Sequence, residues 1–506
     1  MRFTKLPALV WIGILSISFV VSVDCSKSDQ PTTASADAGK VPLTTKSEEA
    51  RNEFLQGRGL ADKLRAQDSL AHFDKAISLD PDFASAELAR ANSSATAKDF
   101  FAHLNRAVAL SAKASEGERL LILANEAGAN GQVVKQKEYL DNLIALYSND
   151  ERARFALGNY YFGQQEYEQA VAHYKKATEL APQYSSAYNI LGYTYRQQGN
   201  YAEAEQAFKR YIELIPDDPN PYDSYAELLL KMGRFEDSIA QYRVALAKDP
   251  HFAPSRLGIA ADLTYLGKSK EAMSELQQLA DQARNDGELR AAYFAMAVVS
   301  VDGGQMDKAV QFMDQQFALA EKKNDAAAMA GDLQAKGNIL AEMQRYDLAQ
   351  QQFERAMQVI EASGLSQAIK DNAKLQQHFN LTVLAIGRKD LAAAKSHAEQ
   401  YRAGAEVSKN TGQIRLAHEL AGRIALAQKD YDMAISELEQ ANDQDPRNLY
   451  RLSTAFQAKG DGDKAREYCK RAAEFNSLPQ LNYAFIRAKA EKAAAGEQTQ
   501  KGAGIS

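Results

Sequence analysis

Residues of the same type recur in this chain at a shift of 34. Gly158, Gly192, Ala226 and Ala260 form one such series, Ala170, Ala204, Ser238 and Ala272 a second, Tyr174, Phe208, Tyr242 and Leu276 a third, and Pro182, Pro216 and Pro250 a fourth. Four units in uninterrupted register from Glu151 to Asp286 mean that one supersecondary motif is laid down repeatedly, each copy burying its apolar face on the next. The motif is helical. From about residue 47 apolar residues follow helical spacing, and no proline occurs from residue 82 to 181 or from 255 to 445, so the residue that breaks helices is almost confined to regularly placed turns.

Each recurring type has a mechanical reason. Gly192 and Ala204 are small enough for two helix backbones to approach closely, and the rings of Tyr195 and Phe208 fill the space between them. Gly199, Gly233 and Gly267 stand where a first helix ends and a residue with φ > 0 is wanted. Pro182, Pro216 and Pro250 stop the second helix. Asn220-Pro221 reads as an N-cap followed by proline at the first helical position. The unit from Ser185, with Tyr188, Leu191-Gly192, Tyr195, Ala204, Phe208 and Pro216, resembles the tetratricopeptide repeat position by position. That resemblance implies an all-α fold, a solenoid of helical hairpins wound as a right-handed superhelix.

Outside this block the period loosens. Phe73, Ala76 and Pro81 fit one unit upstream, while Ala107 and the segment from Glu116 to Tyr147 fit two others poorly. Downstream, Ala309, Ala349, Ala394, Ala434 and Ala465 each mark the start of a second helix at spacings of 40, 45, 40 and 31, which calls for longer helices or longer loops. Leu481 to Ala495 reads as one final helix covering the last repeat. The expected organisation is therefore irregular helical repeats over 47–150, four regular repeats over 151–286, further repeats with a capping helix over 287–495, and a disordered tail over 496–506, with about ten or eleven repeats in all.

The N-terminus reads as a targeting segment. Arg2 and Lys5 precede an uncharged run from Leu6 to Val23, so residues 1–24 are a signal peptide or a membrane anchor, and the basic start keeps that end in the cytoplasm. Cys25 follows directly, ahead of a polar stretch, and resembles the lipidation cysteine of bacterial lipoproteins, although Asp24 and Ser22 depart from the usual lipobox. Residues 25–46, rich in Ser, Thr, Ala and Asp, are expected to form a flexible tether. The location implied is the periplasmic side of a bacterial membrane.

Nothing in the chain spells out bond chemistry. A net charge of -6 with mixed signs provides no basic face for nucleic acid. Two cysteines exclude a disulfide framework and a cysteine-ligated zinc module. Seven histidines are scattered without HExxH or any pair four apart, so no metal or cofactor is expected, and Cys469 falls on an inward position as a buried thiol. Gly267-Lys268-Ser269 lacks the strand and the first glycine of a phosphate-binding loop, Asp262 standing in that glycine's place. In the resembling family the first helix of each pair lines the concave face and meets ligand. Here those positions carry Arg152, Asn159, Asn189, Tyr193, Arg196, Asp223, Glu227 and Lys231, a mixture that suits an extended peptide or protein partner better than a polyanion. Phe155 and Ile190 replace two positions of the lysine- and asparagine-rich clamp that some family members use for C-terminal carboxylates. The function implied is a non-catalytic interaction scaffold of the cell envelope, with a regulatory subunit that senses a peptide or glycan as the alternative.

Overall fold

The computed structural model describes residues 39–63 and 65–496; the N-terminal segment 1–24, Cys25 and the tail beyond 496 lie outside them. The described residues contain helices and connecting turns but no β-strand, and they divide into two compact units. The division passes through the sixth helical hairpin, with 229–243 and everything from 251 onward in one unit and the residues before 229, together with 244–250, in the other.

The N-terminal unit begins with the hairpins α1 (Glu48–Ala61) and α2 (Ala66–Leu79), α3 (Ala84–Asn92) and α4 (Ala97–Leu110), and α5 (Glu116–Ala129) and α6 (Val133–Leu146). It continues with α7 (Glu151–Gln164) and α8 (Tyr167–Leu180), α9 (Ser185–Gln198) and α10 (Tyr201–Leu214), and the first part of α11 (Pro219–Lys231). Residues 47–150, expected to be irregular, thus form three well-made hairpins. Polar caps start their helices where the 34-residue signature is silent: Ser115 caps α5 in a reciprocal capping box with Glu118, and Thr96 caps α4.

The C-terminal unit contains most of α12 (Phe235–Lys248), then α13 (Ala253–Tyr265), α14 (Ser269–Asp281), α15 (Asp286–Asp302), α16 (Met306–Lys322), α17 (Ala326–Glu342) and α18 (Tyr346–Glu361). It ends with α19 (Gln367–Gly387), α20 (Leu391–Ser408), α21 (Thr411–Gln428), α22 (Tyr431–Gln440), α23 (Pro446–Lys459), α24 (Gly462–Ala473), α25 (Leu481–Ala484) and α26 (Arg487–Gly496). Up to α24 the helices pair into twelve hairpins, more than the ten or eleven expected. Lengthened helices, not loops, produce the wide spacings: α15, α16 and α17 have 17 residues each and α19 has 21, against 14 in α7 to α10.

The hairpin crossing is built as expected. A Cβ added to Gly192 would lie 2.7 Å from the Phe208 ring, and Ala204 beside it has no exposed surface, so only small residues allow the ring its place. The same glycine-to-large-residue pair, 16 residues apart, recurs at Gly57–Phe73, Gly158–Tyr174, Gly337–Phe353 and Gly422–Leu438. Gly199, Gly233 and Gly267 take φ of 79°, 75° and 74° at the turns. Cys469 is buried, its thiol donating to the Ala490 carbonyl at 3.3 Å.

Three expectations need correction. α11 starts at Pro219, one residue ahead of the expected cap. Asp218 accepts from the Asn220 amide at 3.2 Å, and the Asn220 side chain instead donates to the buried Tyr211 hydroxyl at 2.6 Å. The final helix is broken at Phe485–Ile486, and the chain around it packs back onto its own unit: the rings of Tyr483 and Tyr265 meet edge to face, and Arg487 pairs with Asp302. Finally, the described end of the expected tether is docked. Val41 and Thr44 donate their amides to Asp150 at 2.8 Å and Glu118 at 3.0 Å, Lys46 donates its amide to Asp80 at 3.1 Å, and Lys40 pairs with Glu151. Carboxylates at successive inter-repeat turns satisfy the backbone of an extended segment that composition alone reads as free.

Candidate functional site

The expected contact residues lie on the first helices of hairpins four to six, and the 34-residue register explains which of them meet. Residues 152, 186 and 220 are equivalent, as are 155, 189 and 223, and 159, 193 and 227, so α7, α9 and α11 present matching positions one helix apart. Tyr193 and Glu227 sit at one such position, and the Tyr193 hydroxyl lies 3.0 Å from Glu227 Oε1. Arg196, almost a turn further along α9, donates to Glu227 Oε2 at 3.1 Å and stacks over the Tyr193 ring at 4.7 Å. One carboxylate thus receives a phenol and a guanidinium, the guanidinium also held against the phenol's ring. Burial pushes the Tyr193 hydroxyl well above the usual tyrosine range, and the Glu227 charge adds to it, so the phenol stays protonated and donates.

The remaining members of the expected set are not gathered there. Arg152 pairs with Asp62 at 2.8 Å and covers the Tyr184 ring at 5.1 Å. Burial works against both charges of that pair: it raises the Asp62 carboxyl, and the facing Arg152 only partly restores it. Asn159 is exposed and accepts from the Tyr174 hydroxyl at 2.7 Å. Asn189 and Asp223 are buried. Lys231 belongs to the other unit, where its ammonium sits 4.0 Å over the Phe475 ring. Arg196 and Glu227, expected on the face that meets ligand, are instead withdrawn into the network they form, at 8% and 6% exposure.

The site contains more polar atoms than the network consumes. Asn189 Oδ1, Asn220 Oδ1, Arg196 Nε and the hydroxyls of Ser185 and Ser186 are buried with no hydrogen-bond partner among the described residues. Such atoms are rare in folded proteins because each costs about 1–3 kcal/mol. Ser186 and Asn220 were absent from the expected set, yet they are the 34-residue equivalents of Arg152. Extending the register by one position would have found them. Among the described residues no group of three metal-ligating side chains occurs, and no helix is long and apolar enough to cross a membrane.

Comparison with known proteins agrees with the hairpins. Residues 138–219 and 417–448 match models of the tetratricopeptide repeat; the described residues as a whole form an all-α array of helical hairpins, and repeats of the matched class generally mediate protein–protein interactions. No curated protein matches the sequence. Among solved structures, the Cut9–Hcn1 hetero-tetramer of the APC/C is 15% identical, covering 84% of this chain and 76% of its own, with a TM-score of 0.40. A thermophilic TPR protein of Thermus thermophilus is 21% identical over 34% of this chain and 92% of its own, with a TM-score of 0.30. The human IFIT1 dimer with a capped RNA is 12% identical over 85% and 90%, with a TM-score of 0.38.

Proposed function

We propose that this protein is a non-catalytic interaction scaffold of the bacterial cell envelope, exported, tethered at Cys25 by lipid, and holding an extended segment of a partner protein on the first helices of hairpins four to six. The observation that carries the reading is the concentration of buried polar atoms without partners at Ser185, Ser186, Asn189, Arg196 and Asn220. A peptide backbone offers N–H and C=O groups that can satisfy such donors and acceptors where the first helices yield to a ligand, and the half-buried Tyr193 ring, held by Arg196 and Glu227, supplies a rigid aromatic anchor.

The test is a photo-crosslinking amino acid placed at Tyr193 and, as a control, at the exposed Lys209 on the second helix of the same hairpin. The expected result is a discrete crosslink to one partner segment from position 193 and none from 209. Equal labelling from both positions, or none from 193 in protein taken from membranes, refutes the reading. The tether has its own test. A processed lipoprotein loses Trp11, the only tryptophan, and stays with the membrane; retained tryptophan emission from the membrane-bound protein refutes cleavage before Cys25.

A further inference from the structure

The last two complete hairpins carry a second polar cluster on their first helices. Glu419 on α21 is fully buried, and one oxygen of it accepts from two guanidinium groups, Arg451 at 2.9 Å and Arg423 at 3.2 Å. Arg447 lies close enough to act on both Glu419 and Arg423, and is itself bonded to Asp445 at 2.7 Å. Elsewhere in the same unit a buried acid is matched one to one: Arg290 holds Asp332 through two bonds of 2.7 and 2.8 Å. The cluster departs from that balance. Arg423, Arg447 and Arg451 face Glu419 and Asp445, with Glu342 and its partner Lys489 at the margin, so four positive groups stand against three negative ones.

Arg423 bears the excess. Its one hydrogen bond among the described residues goes to an oxygen already taken by Arg451, leaving most of its five N–H donors unused. Burial first, and then the charges of Arg451 and Arg447, push the guanidinium down to about 9, the direction expected of a cation crowded by like charge. The side chain keeps 16% of its surface open, so an incoming group can reach it.

We infer that Arg423, Arg447 and Arg451 form an anion-binding site that takes a carboxylate side chain of an acidic peptide segment. Guanidinium forks match the planar, two-oxygen geometry of a carboxylate, and one added negative charge brings the cluster to neutrality. The inference rests on the reading of the protein as a peptide-binding scaffold but concerns a different pair of hairpins, so the two fail separately: crosslinking at Tyr193 does not depend on Arg423.

The experiment is thermal unfolding of the full-length chain at constant ionic strength with a blocked tetraglutamate peptide, inorganic phosphate, or neither, for wild type, Arg423→Gln and, as a control, the exposed Arg243→Gln. The expected result is a melting temperature that rises with peptide concentration in wild type and in Arg243→Gln. In Arg423→Gln that rise is lost, while the ligand-free protein melts no lower than wild type, because a crowded charge has gone. Arg451→Lys, which keeps the charge but removes the fork, should bind the peptide more weakly in a protein that still folds. A peptide response that survives Arg423→Gln, or no response in wild type, overturns the inference; a response to phosphate alone overturns the peptide assignment.

Discussion

The regular hairpins between 151 and 286 and the long hairpins between 287 and 440 solve the same packing problem with different lengths of helix. In the first region α7 to α10 run for 14 residues, and the turn residue with positive φ is Gln165 after α7 but glycine at Gly199, Gly233 and Gly267. In the second, helices run to 17 or 21 residues, and one positive-φ position is Gly304 while the others are filled by Asn324, Gln344, Lys389, Lys409 and Lys429. What persists is the crossing: Gly337 meets Phe353 as Gly192 meets Phe208, 16 residues apart in both. The lesson is that the crossing is the invariant of this chain, whereas helix length and turn chemistry are free to drift. A longer helix adds turns beyond the crossing without disturbing the small-to-large contact that sets the spacing of the pair.

The strongest way to break that comparison is to bury a charge at the crossing in each region. Ala204 and Ala349 both have no exposed surface, so Ala204→Asp and Ala349→Asp should each cost about 3–5 kcal/mol. Hydrogen exchange should show the loss centred on the altered hairpin and its neighbours. A cost below about 1 kcal/mol at Ala349 would mean that the long hairpins are held by something other than their crossing.

A few kcal/mol hang on Asp262, where the regular block carries a carboxyl at the position its 34-residue equivalents fill with Leu228 and Thr194. Burial pushes Asp262 up to about 8, with the Ser238 hydroxyl opposing weakly and Glu236 adding to the rise. The folded state therefore holds this proton more tightly than the unfolded chain. Stability should fall as pH rises from about 4, the unfolded value, and level off above about 8. Asp262→Asn should flatten that slope and stabilise the protein at about pH 9; chemical denaturation at about pH 5 and pH 9 with no difference between variant and wild type would contradict it.

The turns sharpen the comparison at the level of about 1 kcal/mol. Gly199→Ala forces a Cβ into φ of 79° and should destabilise by about that amount. Lys429→Gly, at φ of 62°, relieves the same strain and should stabilise by a similar or smaller amount. Equal and negligible effects in denaturant titrations would show that the turn contributes nothing in either region.

The smallest effect concerns His378 and His397, whose Nδ1 atoms lie 3.3 Å apart across α19 and α20. Nineteen residues separate them, the interval that also joins Glu53 to His72 and His418 to Glu437. Burial, and then the charge of His397, lower His378 below the usual histidine range. The folded state thus favours the neutral ring, and stability should decline as pH falls below the unfolded value of about 6.5. Exposure holds the effect to a fraction of a kcal/mol. His397→Gln should reduce the decline between about pH 7 and pH 5; an unchanged melting profile would dissociate the pair from the titration.

Much of the site was legible because the register is arithmetic. Tyr193 with Glu227, and Arg152 with Ser186 and Asn220, follow from a period of 34 once the first helices are known to lie side by side. Their pairing was not legible. Whether Arg196 faces solvent or Glu227 depends on how far apart α9 and α11 stand, which is set by side chains elsewhere in the crossing.

The sequence by itself determined the helical class, the hairpin unit, the glycine turns and the burial of Cys469, because these depend on spacings within one or two repeats and on backbone preferences that act locally. Only the tertiary structure decided the contacts that skip repeats. Asp62 reaches Arg152 across 90 residues, Lys40 and Val41 reach the start of α7 across more than a hundred, and the chain after α24 turns back to Lys231, Tyr265 and Asp302. A periodic pattern specifies each step from one hairpin to the next, but no residue records where the accumulated rotation brings distant turns together; that depends on the sum of many small helix-crossing angles, each set by packing.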